Sequence, residues 1–270
     1  MFEEIQNKEL QIEKVSMKAD GRLDDEADPL PSPLNTFRSG FNTAIVGFSG
    51  SGKTTLLINL LSKNHKKIGK NKVRQSFKKL FSNIFIVSPS LSTLGNNIFD
   101  DLPDDQKATE LTEEFIDDLY EKLEKIKEDA DEVGETHYSL LVLDDVAVSL
   151  RKNKKLEQKL VQLFQNRRHL GSGGLSVITL VQSYKNISPQ HRNNLNSIFF
   201  FKPKVVKERI AIQEDLINLD KKYSIPLFDF VFRNKHDFMF IDFTMSGDSA
   251  DFDYYRNFNK ILFNNKDDEE

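Results

Sequence analysis

The residues Gly47-Phe48-Ser49-Gly50-Ser51-Gly52-Lys53-Thr54 match the pattern G-x-x-x-x-G-K-[ST] at every fixed position. Three glycines let the backbone curl without a Cβ clash, so successive amide N–H groups can converge on phosphate oxygens. The apolar run Ala44-Ile45-Val46 before the loop reads as a buried strand, and the segment after it as a helix whose dipole favours an anion at its start. Lys53 is expected to reach the β- and γ-phosphates, and the Thr54 hydroxyl to hold Mg²⁺. The expected nucleotide contacts are Gly47, Ser49, Gly50, Ser51, Gly52, Lys53, Thr54 and Thr55. This chemistry belongs to a nucleoside-triphosphate site.

A second group completes it. Leu140-Leu141-Val142-Leu143 ends at Asp144-Asp145, and the apolar run from Leu175 to Val181 ends at Gln182. Mg²⁺ takes one or two protein carboxylates plus phosphate oxygens, and Asp144 suits that role. Asp145, past the strand end, is placed to turn toward an attacking water and orient it. Both acids could instead bind the metal, or cap the following helix. Gln182 is a candidate sensor of the γ-phosphate. Asn166-Arg167-Arg168-His169 closes a helical pattern, where basic residues also complement the dipole. Arg168, and after it Arg192, are candidates for an arginine presented to a neighbouring subunit's nucleotide.

These residues need a scaffold to bring them together. Further apolar runs at Ile84-Phe85-Ile86-Val87 and Ile198-Phe199-Phe200-Phe201 alternate with helical patterns, notably from Leu156 to Leu170. Continuous apolar strands between helices indicate an α/β fold whose central sheet is mainly parallel and covered on both faces. In such sheets ligands sit beyond the carboxyl ends of the strands, which is where Asp144, Asp145 and Gln182 fall. The chain has 270 residues, enough for one such domain with tails. It contains no cysteine, so disulfide, thiolate-metal and thiol chemistry are excluded. No apolar run approaches the ~20 residues of a membrane span, and the acidic start is not signal-like.

Charge is unevenly spread along the chain, although the net charge is only −4. Residues 1–40 are polar and proline-bearing and read as an arm, with residues 41–246 the domain proper and residues 247–270 a polar tail. The sequence Asp25-Glu26-Ala27-Asp28 follows no strand and precedes the phosphate loop, so it is not a helicase box. Residues 63–79 hold eight Lys/Arg and no acid, a candidate phosphate-tracking segment. Residues 100–135 hold sixteen acids against four lysines, with Leu111, Phe115, Leu119, Leu123 and Ile126 at helical spacing. Asn234-Lys235-His236-Asp237 matches the guanine-selecting N-K-x-D, and Asp131-Glu132-Val133-Gly134 matches D-x-x-G. The second lies in the acidic helical stretch. The first falls between "LFDFVF" and "DFMFIDF", which read as two strands of a hairpin with these residues at its turn. A GTPase is therefore disfavoured.

The order of these features, with "SPS" after the strand at residues 84–87, "LLVLDD", "NRRHLG", a strand ending in Gln182, "IFFFKP" and a C-terminal hairpin, resembles the poxvirus-type genome-packaging ATPases of the FtsK–HerA lineage. The likeness spans roughly residues 41–246. It implies a RecA-like sheet, a homo-oligomeric ring of five or six subunits, and ATP-driven movement of double-stranded DNA into a capsid through portal or vertex proteins. By that resemblance Lys53 and Thr54 bind ATP, Asp144 binds Mg²⁺, Asp145 activates water and Gln182 senses phosphate. Arg168 matches the family's Arg-His pair, followed here by a longer Gly-Ser-Gly-Gly link. The resemblance also implies a place in the host cytoplasm, at the viral factory, or in the virion. A nucleotide-gated assembly protein and a small P-loop kinase are the other classes. The paired acids and the lack of an arginine-rich lid weigh against the kinase.

Overall fold

The computed structural model describes residues 23, 30, 32–62, 64–68, 73–91, 98–217, 219, 221–244 and 252–262. Residues 25–28, and residues 63 and 69–72 of the cationic segment, lie outside them. Among the described residues nine strands form one sheet, and β2 (Asn64–Ile68) and β3 (Val73–Ser76) pair antiparallel in a second. The parallel part of the nine-stranded sheet runs in the order β8 (Ser197–Phe201), β1 (Asn42–Val46), β7 (Leu175–Val181), β6 (Ser139–Asp144), β4 (Asn83–Val87) and β5 (Lys107–Ala108). Beyond β8 the sheet turns antiparallel through β9 (Phe238–Asp242), β10 (Asp253–Arg256) and β11 (Asn259–Lys260). Strands β1, β7 and β8 are buried along their whole length, which is why they read as unbroken apolar runs.

One face of the sheet is covered by α1 (Lys53–Ser62) through Leu56, Leu57, Leu60 and Leu61, joined by a stack of Phe37, Phe41, Phe77 and Phe81. The other carries α2 (Glu113–Val133) and α4 (Lys154–Asn166), with the short helices α3 (Ala147–Lys152) and α5 (Pro189–Arg192) against α4, and further along α6 (Val206–Leu216) and α7 (Lys221–Val231). The acidic stretch forms α2, which buries Ile116, Leu119, Leu123 and Ala130 and turns its acids outward. Gly134 caps it at φ 73°, so the D-x-x-G sequence is a helix end. No helix among the described residues is long and apolar enough to cross a membrane.

Three expectations from the sequence need correction. The segment "LFDFVF" is not a strand but the end of α7, and it buries Leu227, Phe228, Val231 and Phe232 while Asp229 and Phe230 face out. That spacing is helical. The strand-like alternation of phenylalanines came from Phe230, whose exposed ring lies 4.5 Å beneath the Arg233 guanidinium. The antiparallel partner of β9 is instead β10, drawn from residues set aside as tail, with Tyr254 and Tyr255 buried. The core also reaches back before residue 41, because Leu23, Leu30, Leu34 and Phe37 are buried in it.

Candidate functional site

β1 runs directly into the phosphate loop, and the Gly47 amide donates to the Val181 carbonyl at 3.0 Å, tying the loop to the end of β7. Gly50 and Gly52 adopt φ 78° and 115°, conformations that side chains avoid. A Cβ on Gly47 would lie 2.5 Å from Ser51 Oγ and 3.0 Å from the Phe201 ring, so the turn has no room for one. Ser51 is buried beneath it. α1 begins at Lys53, with Leu56 N donating to the Gly52 carbonyl at 2.8 Å, and aims its N-terminus into the loop. The Lys53 ammonium curls back to donate to the carbonyls of Gly47 at 2.6 Å and Phe48 at 3.3 Å. Burial lowers the Lys53 pKa, and the charges of Asp144 and Asp145 oppose that shift. A cation half withdrawn from water and lent to carbonyls is one that an anionic phosphate attracts strongly.

The two aspartates emerge at the end of β6, as the sequence implies. Asp144 Oδ2 accepts from Ser88 Oγ at 2.8 Å and from Ser90 Oγ at 3.4 Å, so the serines after β4 orient it. Burial raises its pKa, the bond from Ser88 works against that, and the neighbouring Asp145 charge adds to it. A carboxylate whose ionised form is penalised by burial gains from a cation in front of it. Together with the Thr54 hydroxyl at the head of α1, this donor set suits Mg²⁺. Asp145 lies at φ 54°, an uncommon backbone conformation for a residue with a side chain, and its amide still donates to the Leu180 carbonyl at 3.2 Å. Its carboxylate has a different partner from that of Asp144. Asp145 Oδ2 accepts from Gln182 Nε2 at 2.6 Å. Lys53, Asp144, Asp145 and Gln182 thus share one edge of the sheet.

The arginines do not join them. The Arg167–His169 turn precedes β7 at the opposite edge, where a Cβ on Gly40 would sit 3.0 Å from Arg168 Cα. Arg167 is buried. Its Nε donates to the Gly40 carbonyl at 2.7 Å and its Nη2 to Asn196 Oδ1 at 2.9 Å, and burial brings its pKa down to about 10. Arg192 is also held in the fold. It pairs with Asp215 at 2.8 Å and lies 4.0 Å over the Tyr184 ring. Arg168 is exposed.

Two residues near the loop were not singled out from the sequence for what they do. Ser88 orients Asp144; the "SPS" at a strand end was the available signal. His236 lies against the phosphate loop, its Nδ1 2.9 Å from the Ser51 carbonyl. Only the N-K-x-D pattern drew attention to it, for another reason. Asp237 of that pattern is committed to the protein itself, accepting from Asn234, Arg256 and Asn257.

A family model described as the poxvirus A32 protein matches residues 34–225. No curated protein matches the chain by sequence. Among solved structures, the genome packaging NTPase B204 from Sulfolobus turreted icosahedral virus 2, in complex with sulfate, is 14% identical. It superposes with a TM-score of 0.51, covering 77% of this chain and 94% of that one. The pCW3 conjugation coupling protein TcpA, a monomer with ATPγS, is 14% identical with a TM-score of 0.50, covering 80% of this chain and 63% of that one. B204 from Sulfolobus turreted icosahedral virus, a DNA-packaging ATPase, is 16% identical with a TM-score of 0.49, covering 75% and 92%. What the first two share with this chain is the fold, a RecA-like P-loop sheet with helices on both faces.

Proposed function

Because the chain belongs to the poxvirus A32 protein family, we propose that it is an ATP-hydrolysing translocase that drives double-stranded DNA into a viral capsid, working as a ring of copies. The observation that carries the enzymatic part is the convergence of Lys53, Asp144, Asp145 and Gln182 on one strand-end edge beside a glycine-rich loop.

Lys53 leaves the carbonyls of Gly47 and Phe48 for the β- and γ-phosphates. The loop amides and the α1 N-terminus hold the polyphosphate in place. Thr54 and Asp144 would hold Mg²⁺, which when bound neutralises charge on the phosphate oxygens. Asp145 accepts a hydrogen bond from the attacking water and aligns it with the γ-phosphorus. Gln182 acts as a latch. Its amide donates to Asp145, and a γ-phosphate would offer that amide a charged acceptor and free the carboxylate for water.

The test is the steady-state ATPase rate with and without linear double-stranded DNA. The wild-type rate should rise with DNA, and Lys53→Ala should abolish it under both conditions. Hydrolysis indifferent to DNA would favour the nucleotide-gated assembly protein over the translocase.

A further inference from the structure

The N-K-x-D sequence has no guanine to read, yet its loop is braced with unusual thoroughness. Asp237 is nearly buried. Its Oδ2 accepts from the Asn234 amide at 2.8 Å, from Asn234 Nδ2 at 3.2 Å and from Arg256 Nη2 at 2.9 Å, while Oδ1 accepts from Asn257 Nδ2 at 3.2 Å. Arg256 also donates through Nε to the carbonyl of Val231, the last residue of α7, at 3.1 Å. Asn257 Oδ1 accepts from Phe238 N, at the start of β9, at 3.1 Å. Three elements, α7, β9 and β10, therefore fix one short loop.

What that loop presents is His236. Its Nδ1 lies 2.9 Å from the Ser51 carbonyl, and a Cβ on Gly52 would come within 3.6 Å of the same nitrogen. A carbonyl only accepts, so Nδ1 carries the hydrogen and donates it. The peptide joining Ser51 to Gly52 is planar and trans, so its C=O and N–H point in opposite directions. Drawing the Ser51 carbonyl toward His236 turns the Gly52 N–H away from His236, and that N–H is one of the loop amides on which phosphate binding depends. Gly52, at φ 115° and without a side chain, has little of its own to prevent that peptide from flipping. A flipped peptide would aim a carbonyl at the phosphate.

We propose that residues 234–237 are a strut that sets the shape of the phosphate loop, with His236 as a positioning residue acting through the Ser51 carbonyl. The inference rests on the nucleotide-site assignment above. It makes the C-terminal strand β10, through Arg256 and Asp237, part of the machinery that holds the loop ready for ATP. Loss of the strut lowers the fraction of protein with a competent loop, and apparent affinity falls by that fraction.

The test is the dissociation constant for MgATP, measured on the full chain by calorimetry, alongside KM and kcat. His236→Ala should weaken binding about fivefold, the worth of one hydrogen bond, with KM rising more than kcat falls. Asn places a donor where Nδ1 stands and Gln places one where Nε2 stands. His236→Asn should therefore recover binding to within about twofold of wild type, and His236→Gln should not. Arg256→Ala should weaken binding by a similar factor, and the double variant no more than the worse single one, because both act through one loop. Rescue by Gln but not Asn would overturn the proposal by showing that Nε2 touches the nucleotide directly. Wild-type affinity in His236→Ala, or additive losses in the double variant, would also overturn it. Lys53→Ala is the control for the site itself. If it binds MgATP like wild type, the nucleotide-site assignment fails; if it alone loses binding, only the strut does.

Discussion

At the scale of single residues, the same carboxylate chemistry serves opposite purposes at different places. Asp144 is left short of compensation, so burial raises its pKa and a cation in front of it is welcome. Asp237 is over-compensated. Burial alone would push its pKa up, but hydrogen bonds from Arg256, the Asn234 amide and Asn257 outweigh that and hold it down to about 2. A carboxyl depressed on folding stabilises above its unfolded value, near 4, and loses that contribution as pH falls through its folded value. Asp237→Asn should therefore unfold more easily at pH 7, by roughly 2 kcal/mol for a shift of this size. Urea titrations at a series of pH values should show the gap closing between about pH 4 and pH 2. A gap that stays constant over that range would mean the aspartate stabilises by shape rather than charge. Asp144, Asp145 and Gln182 were legible in the sequence because each follows an apolar run, and a strand end is a position that spacing reveals; Lys53 and Thr54 were legible because the glycine-rich pattern fixes them. Ser88 and His236 act through contacts across 56 and 185 residues of chain, and a local pattern such as "SPS" marks a position without naming its distant partner.

At the scale of elements, the sequence served best where burial is complete. Strands β1, β4, β6, β7 and β8 were visible as apolar runs because both faces of the sheet are covered. It misled at α7, where one exposed aromatic imitates a period of two and Pro226 argues against a helix. The distinction is open to measurement. In a strand, Phe228, Phe230 and Phe232 would share a face; in α7, Phe228 and Phe232 pack 5.5 Å apart in the core and Phe230 faces solvent. Phe228→Ala should cost about 3–5 kcal/mol in chemical denaturation, and Phe230→Ala within about 0.5 kcal/mol of nothing. Equal losses would contradict the helix. α4 offers a smaller test, since its Asn153 cap accepts from the amides of Lys155 at 3.0 Å and Leu156 at 3.1 Å and donates to Glu113 at 2.9 Å. Asn153→Ala should cost about 1 kcal/mol, read as a lower urea midpoint with an unchanged slope.

At the scale of the whole molecule, the sheet separates two chemistries. β1 carries the chain from Gly40, packed against Arg168, to Gly47 at the phosphate loop, roughly 20 Å at a strand's rise per residue. One side chain cannot cross that distance, so Arg168 does not serve the nucleotide of its own subunit. It borders a polar groove of about 600 Å³ with His169, Lys127, Asp131 and Glu135. Arg167 is buried and Arg192 partly buried, and Arg168 is the exposed arginine of this group. If it completes a neighbour's site, Arg168→Ala should bind ATP and hydrolyse it about 10³-fold or more slowly, the scale of a supplied arginine. Asp145→Asn should likewise bind MgATP and barely turn it over, because the charge that orients water is gone. Each protein alone is inactive for a different reason. In a mixed ring some sites pair an intact Asp145 with an intact Arg168 from next door, so mixing the two should restore part of the activity, and more of it as subunits exchange. Co-assembly without any recovery would exclude Arg168 as a residue acting between subunits. Full activity in Arg168→Ala alone would exclude it from catalysis altogether.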